Sequence, residues 1–236
     1  MKQETLLATP KELLEAAKTA VPGAVLVLKD GIWLDAELTL VARGTASKPI
    51  TLRAQTPGKV VLTGSSRLRL SGEYLVVSGL WFKKGKIDSG EVIAFRTKSD
   101  VLAHHCRLTQ CAISDVNPQD KERDTKWVSL YGTYNRVDHC DFAGKTNLGT
   151  TLVVWLAGNP NDHRIDHNHF GPRPELGTNG GETIRVGTSD WSMSVSRTIV
   201  EDNLFERCDG ETEIISSKSC ENLLSTGQKI LVISTG

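Results

Sequence analysis

Residues 164–170 read RIDHNHF, and a near copy, RVDHCDF, stands at 136–142. Three further segments can be laid over them: VVSGLWF at 76–82, LAHHCRL at 102–108 and IVEDNLF at 199–205. Their last residues, Phe82, Leu108, Phe142, Phe170 and Phe205, stand 26, 34, 28 and 35 positions apart. Constant short strands with insertions of variable length between them describe coils stacked on one another, better than propeller blades or a sandwich. The expectation is an all-β fold, a right-handed, single-stranded parallel β-helix. In this overlay Cys106, Cys140, Asn168 and Asn203 share one column, and His105, His139 and His167 share the next. Stacked thiols and amides satisfying one another explain most of the cysteines and histidines. His167 and His169 are two apart, but the repeat explains that spacing and no third metal ligand is near in sequence.

Composition agrees. The 236 residues include 21 Gly and only 6% aromatics, with short apolar runs at 50–54, 60–63, 74–82 and 92–95 separated by turn formers. Lys and Arg number 28, as do Asp and Glu, so no overall field favours nucleic acid or a membrane surface. Five cysteines, Cys106, Cys111, Cys140, Cys208 and Cys220, form neither a CxxC metal pair nor an even disulfide set. No apolar run reaches membrane-spanning length, and the N-terminus lacks the pattern of a signal peptide.

One domain, 1–236, is expected. Thr9-Pro10-Lys11-Glu12 opens a short helix with Thr9 as N-cap, and Leu13, Leu14, Ala16 and Ala17 follow at helical spacing. That helix caps the stack, and Ala24 to Leu28 is read as the first strand, so the cap and first strand occupy about 1–30. From about 223 to 236 the repeat is expected to fail, as an atypical tail or a truncation.

Chemistry concentrates at 208–219, CDGETEIISSKS, and at 179–183, NGGET. If Glu211, Thr212 and Glu213 are extended, both carboxylates lie on one face. Asn179, 32 residues before Glu211, falls roughly one coil earlier and beside it. Two carboxylates and an amide oxygen form an incomplete shell for Ca²⁺, which takes six to eight oxygens, so water and an anionic substrate can fill the rest. An ammonium beside a divalent cation is pushed towards its neutral form, and Lys218 lies within reach to act as a base. The plain alternative is a solvated face with a salt bridge or two.

GKTN (144–147), VVWL (153–156), HRIDHNHFGPRP (163–174), LGTNGGETIRVGTS (176–189) and DGETEIISSKS (209–219) together resemble polysaccharide lyase family 6, which includes alginate lyases and chondroitinase B. The resemblance runs from the cap to about Asn222. It implies a lyase that cleaves a uronate polysaccharide by β-elimination, with Asn179, Glu211 and Glu213 as calcium ligands and Lys218 as the base. It further implies substrate contacts from Arg185, and from Lys145 and Arg173 lining the same groove. The partner is then an anionic polysaccharide, alginate before dermatan or chondroitin-type chains, met in the periplasm or outside the cell. Family members carry a further arginine as general acid, whereas no arginine follows Arg207 here. That departure leaves two other readings: a catalytically impaired calcium- and polyuronate-binding fragment, or a solenoid without a site. An open C-terminal end would also suit a homodimer.

Overall fold

The computed structural model describes residues 4–177, 179–218 and 224–231. The chain winds as a right-handed parallel β-helix, its strands collected into three sheets of nine, nine and eight. All named strand pairs but one are parallel; the exception joins Arg96–Lys98 to Val101–His104.

Each sheet aligns like with like. In the first, Leu26, Leu52, Val77, Leu108, Val137, Ile165 and Val200 stand in register. In the second the column is Leu38, Leu68, Ile93, Val128, Leu152, Ile184 and Ile215. In the third it runs Leu62, Phe82, Ile113, Phe142, Phe170 and Phe205, with Phe142, Phe170 and Phe205 stacked at 5.2 and 5.1 Å between ring centroids. Nearly every member is buried, so the core is a set of continuous apolar columns along the axis.

The corners between sheets have their own grammar. Between the first and third sheets, Gly79, Gln110, His139, His167, Asp202 and Gly227 all take positive φ, from 51° to 75°. A left-handed residue bends the chain and leaves the next N–H outside the strand ladder. The following column answers it: Asn168 Oδ1 accepts from Cys140 N at 3.0 Å, Asn203 Oδ1 from Asn168 N at 3.0 Å, and Gln228 Oε1 from Asn203 N at 3.2 Å. A second corner repeats the device with Tyr74, His105, Tyr134, Asp162 and Arg197 in the left-handed position.

That repetition corrects the overlay. Val77, Leu108, Val137, Ile165 and Val200 stand 31, 29, 28 and 35 positions apart, so the segment matching the others is Arg107–Ile113, not 102–108. Cys111 joins Cys140 and Asn168, while His105 stacks between Tyr74 and Tyr134 at the other corner, at 4.7 and 4.8 Å. Both corners pair a left-handed residue with a buried small or polar one, and the His-Cys dipeptide at 105–106 mimicked the one at 139–140.

Two boundaries also move. Glu4–Leu7 is a strand, pairing with Val25–Leu28, so the chain enters the first sheet before the helix. The helix itself spans Pro10–Thr19; Thr9 Oγ1 accepts from Glu12 N at 3.2 Å, and Leu13 and Ala17 are buried against the end of the core. At the other end, Leu224–Thr226 and Lys229–Leu231 pair in register with Ile199–Glu201 and Leu204–Glu206, with Ile230 beside Phe205. The expected atypical tail is therefore another rung through 231, because Gly227 and Gln228 supply the same corner. Cys220 and residues 232–236 lie outside the described residues. The other four cysteines are buried free thiols, and among the described residues no helix is long and apolar enough to cross a membrane.

Candidate active site

The second sheet's last two described rungs, Ile184–Val186 and Ile215–Ser217, carry Arg185 and lead into Lys218, while Asn179, Glu211 and Glu213 lie in the turns before them. Just before them two turns meet backbone to backbone. A Cβ on Gly181 would lie 2.1 Å from Gly210 O, and one on Gly210 2.2 Å from Gly181 O, so only glycine fits either position. This approach brings the 179–183 turn beside 211–214, and Gly181 N donates to Glu211 Oε2 at 2.8 Å.

Glu211 and Glu213 are not on a strand as expected. The chain bends at 211–212, and the strand begins only at Ile215. The glycine contact forces the turn, and each carboxylate takes its own partner. Glu213 Oε2 accepts from the Ser216 hydroxyl and lies 3.5 Å from Lys218 Nζ; these two, the hydroxyl first, hold its carboxyl below the ordinary range. Asn179 is exposed at the rim of its turn.

A residue the sequence reading quoted but did not assign completes the cluster. Glu182 is 1% exposed; its Oε1 lies 3.8 Å from Lys218 Nζ, and its Oε2 is buried with no hydrogen-bond partner. A buried, unpartnered carboxylate oxygen is costly unless a cation is there to meet it. Lys218, one-third exposed, thus stands between two carboxylates, its N–H donating to Val186 O at 3.0 Å. Among the described residues no group of three or more His, Cys, Asp or Glu is posed as a metal cage. The donor chemistry nevertheless fits a hard cation, since Glu182, Glu211 and Glu213 offer only oxygen and one of those oxygens lacks a partner.

Lys218 also stands in a column. Trp155 N, Gly187 N and Lys218 N donate to Leu130, Val154 and Val186 carbonyls at 3.0, 2.9 and 3.0 Å, so Tyr131, Trp155, Gly187 and Lys218 follow one another rung by rung. Gly187 puts no side chain beside the amine. Arg185 points outward, its guanidinium 5.6 Å over the Trp155 ring.

Lys145 and Arg173 do not line a groove; both are buried beneath the turns, 1% and 3% exposed. Arg173 donates to Glu182 O at 2.6 Å, to Asn147 O at 3.1 Å and to Gly149 O at 3.0 Å, tying together the backbones of two successive coils. Gly149 N in turn holds Gly180 O at 2.7 Å. Lys145 Nζ donates to Asn147 Oδ1 at 2.7 Å, Asn147 O at 3.3 Å and Leu148 O at 3.2 Å. Three acceptors match the three N–H groups of an ammonium, whereas burial, then the Arg173 charge, pushes its pKa down to about 6. Their common work is to shape the turn that carries Asn179 and Glu182. The histidine pair His167 and His169 is spoken for by Asp166 at 2.8 Å and Asp141 at 2.6 Å.

Known proteins can be set against this geometry. The sequence model of the chondroitinase B family matches residues 7–231. The structure superposes on the PL6 family alginate lyase AlyGC with TM-score 0.89 and 53% identity, over 92% of this chain and 30% of that one. A mannuronic acid specific family 6 lyase from human gut microbiota is 37% identical, TM-score 0.89, over 97% of this chain and 59% of that one. A PL6 family polysaccharide lyase from Pseudopedobacter saltans is 30% identical, TM-score 0.86, with 98% and 52% covered. None of the curated proteins matches the sequence significantly. The chain spans from 30% to 59% of the length of these solved relatives. With its coils and its sequence in agreement, the chain belongs to the chondroitinase B family, among the family 6 polysaccharide lyases.

Proposed function

We propose that this chain carries the catalytic face of a lyase that cleaves alginate by β-elimination. The observation that carries the proposal is Lys218 Nζ held 3.5 and 3.8 Å from the carboxylates of Glu213 and Glu182, in an outward-facing column. In this reaction the proton on carbon 5 of a uronate leaves, its electron pair forms the carbon 4–carbon 5 double bond, and the bond from carbon 4 to the glycosidic oxygen breaks with its electrons going to that oxygen, which takes a proton from water. Lys218 receives the proton, so its amine must face the sugar. Arg185 pairs with a neighbouring uronate carboxylate through its two-pronged guanidinium. A calcium ion, when bound by oxygens of Glu211, Glu213, Asn179 and Glu182, would offset the substrate carboxylate's charge as the enolate develops. Glu182 reaches that task because Arg173 grips its backbone carbonyl from below. A reaction in the periplasm or outside the cell, where such a polymer is met, is part of this reading.

The reading is tested by ultraviolet absorbance of new unsaturated uronate ends on polymannuronate, polyguluronate and dermatan, with and without a calcium chelator. Absorbance should rise on an alginate polymer, fall with chelator, and vanish in Lys218→Ala. Polyuronate binding without any absorbance rise would leave a binding module and overturn the lyase reading.

A further inference from the structure

Away from Lys218 on the same face lies a cavity of about 360 Å³ that the reaction does not use, bounded by Arg96, Leu102, His104, Tyr131, Trp155 and Asn161. We infer that it is an accessory site for one carboxylate-bearing sugar unit, with Arg96 as its anion contact. This rests on the polyuronate reading above and adds a second place where the chain is held.

Charge comes first. The Glu91 carboxylate, nearly buried, lies 3.7 Å from Arg96 and 4.0 Å from Arg69, so two guanidiniums share one acid and a positive charge is left over. Tyr131 Oη donates to that carboxylate at 2.9 Å, using one of its oxygens. The Arg96 guanidinium makes no hydrogen bond among the described residues beyond its 3.7 Å approach to Glu91, and its N–H fork suits a planar carboxylate.

Rigidity comes next. The Arg96 guanidinium lies 3.8 Å over the Tyr131 ring; Tyr131 stacks on Trp155 at 5.9 Å and 4°; Arg185 covers the far side of Trp155. Four side chains thus form one pile, and little freedom remains to be lost when a ligand binds. Sugar-like polarity follows, because aromatic edges and Leu102 meet the amide of Asn161 and the His104 ring, whose Nδ1 is fixed by Thr133 Oγ1 at 2.8 Å. The volume is at the lower end of small-molecule sites, about 300–1,000 Å³, which suits a short piece of chain. The pile leads through Gly187 to Lys218, and three rungs at about 4.8 Å put Tyr131 about 14 Å along the axis from the amine. A chain engaged at Lys218 can therefore continue into the cavity.

Calorimetric titration of the whole chain with a saturated mannuronate hexamer, in excess chelator to suppress cleavage, decides the matter. The hexamer should bind, a neutral mannose hexamer should bind at least tenfold more weakly, and Arg96→Gln should raise the uronate Kd about tenfold while leaving the thermal midpoint near its original value. Leu102→Trp, which fills the cavity, should weaken binding similarly and decides the question if the arginine variant does not fold. An unchanged Kd in a folded variant, or no uronate binding by the parent chain, overturns the inference. Unsaturated ends with an unchanged Kd in Arg96→Gln would remove this site and leave the lyase reading intact. A weakened Kd with no unsaturated ends from the parent would do the reverse.

Discussion

Replacing His163 with asparagine should make the protein less sensitive to acid. His163 is 1% exposed, its Nδ1 accepts the Asn135 N–H at 3.0 Å, and its buried Nε2 has no partner. The ring must therefore be neutral with Nδ1 unprotonated. Burial pushes its pKa down to about 3; Asp162 pulls it up and His104 pushes it further down. An unfolded histidine titrates near 6.5. Between those values the unfolded chain holds a proton that the folded chain refuses. The contribution is thus fully present above pH 6.5 and is lost as the pH falls towards 3, at up to about 1.4 kcal/mol per unit. From pH 6.5 to 4.5 that amounts to about 2–3 kcal/mol, a large part of a typical domain's 5–15 kcal/mol. One rung earlier, Asn135 Oδ1 accepts Cys106 N at 2.9 Å, so an asparagine at 163 can take over the same bond. The variant should lose about 1–2 kcal/mol at neutral pH, from ring packing, and show a shallower decline below pH 6.5. Urea midpoints of both proteins at pH 7.5, 6.5, 5.5 and 4.5 measure this. Asp138, Asp166 and Glu213, held below the ordinary carboxylate range by partners other than His163, also lose stability in acid, but equally in both proteins. Parallel curves would refute the argument.

Two other changes probe the outer face and the site. Asp138, fully buried, accepts from Arg107 Nε at 2.7 Å and Nη2 at 2.5 Å and from His139 Nδ1 at 2.7 Å. Asp138→Ala should cost about 2–3 kcal/mol, because Arg107 stays partly exposed and rehydrates instead of being stranded; a urea midpoint that barely moves would count against it. Glu182→Gln keeps the shape but removes the buried charge beside Lys218, and should weaken calcium binding at least tenfold by calorimetry. An unchanged affinity would place the cation elsewhere.

Much of the fold was legible because the solenoid repeats its core. Phe142, Phe170 and Phe205 share a column, and a chain that stacks like on like displays that column as a period in its sequence. The register at 102–113 was not legible, since two corners use the same pairing of a left-handed residue with a buried partner and only strand pairing tells them apart. The strand at Glu4–Leu7 was hidden for another reason. Four residues ahead of a helix carry no period, and their place is set by pairing with Val25–Leu28.

The site shows the same division between what residue type announces and what only packing reveals. Asn179, Glu211, Glu213 and Lys218 were found through oxygen and amine chemistry, and Gly181 against Gly210 is what gathers their turns. An acid at the head of an apolar strand looks in sequence like a solvated end, so only the burial of Glu182 and its empty oxygen mark it. Lys145 and Arg173 lie in the matching motifs, yet both point inward and hold carbonyls. A motif records every residue a site needs, whether it touches the ligand or fixes the backbone of one that does. The buried Arg173 guanidinium binds Gly149 O in one coil and Glu182 O in the next, and so holds the turn at Gly180 and Gly181, whose glycines have no side chains with which to hold themselves.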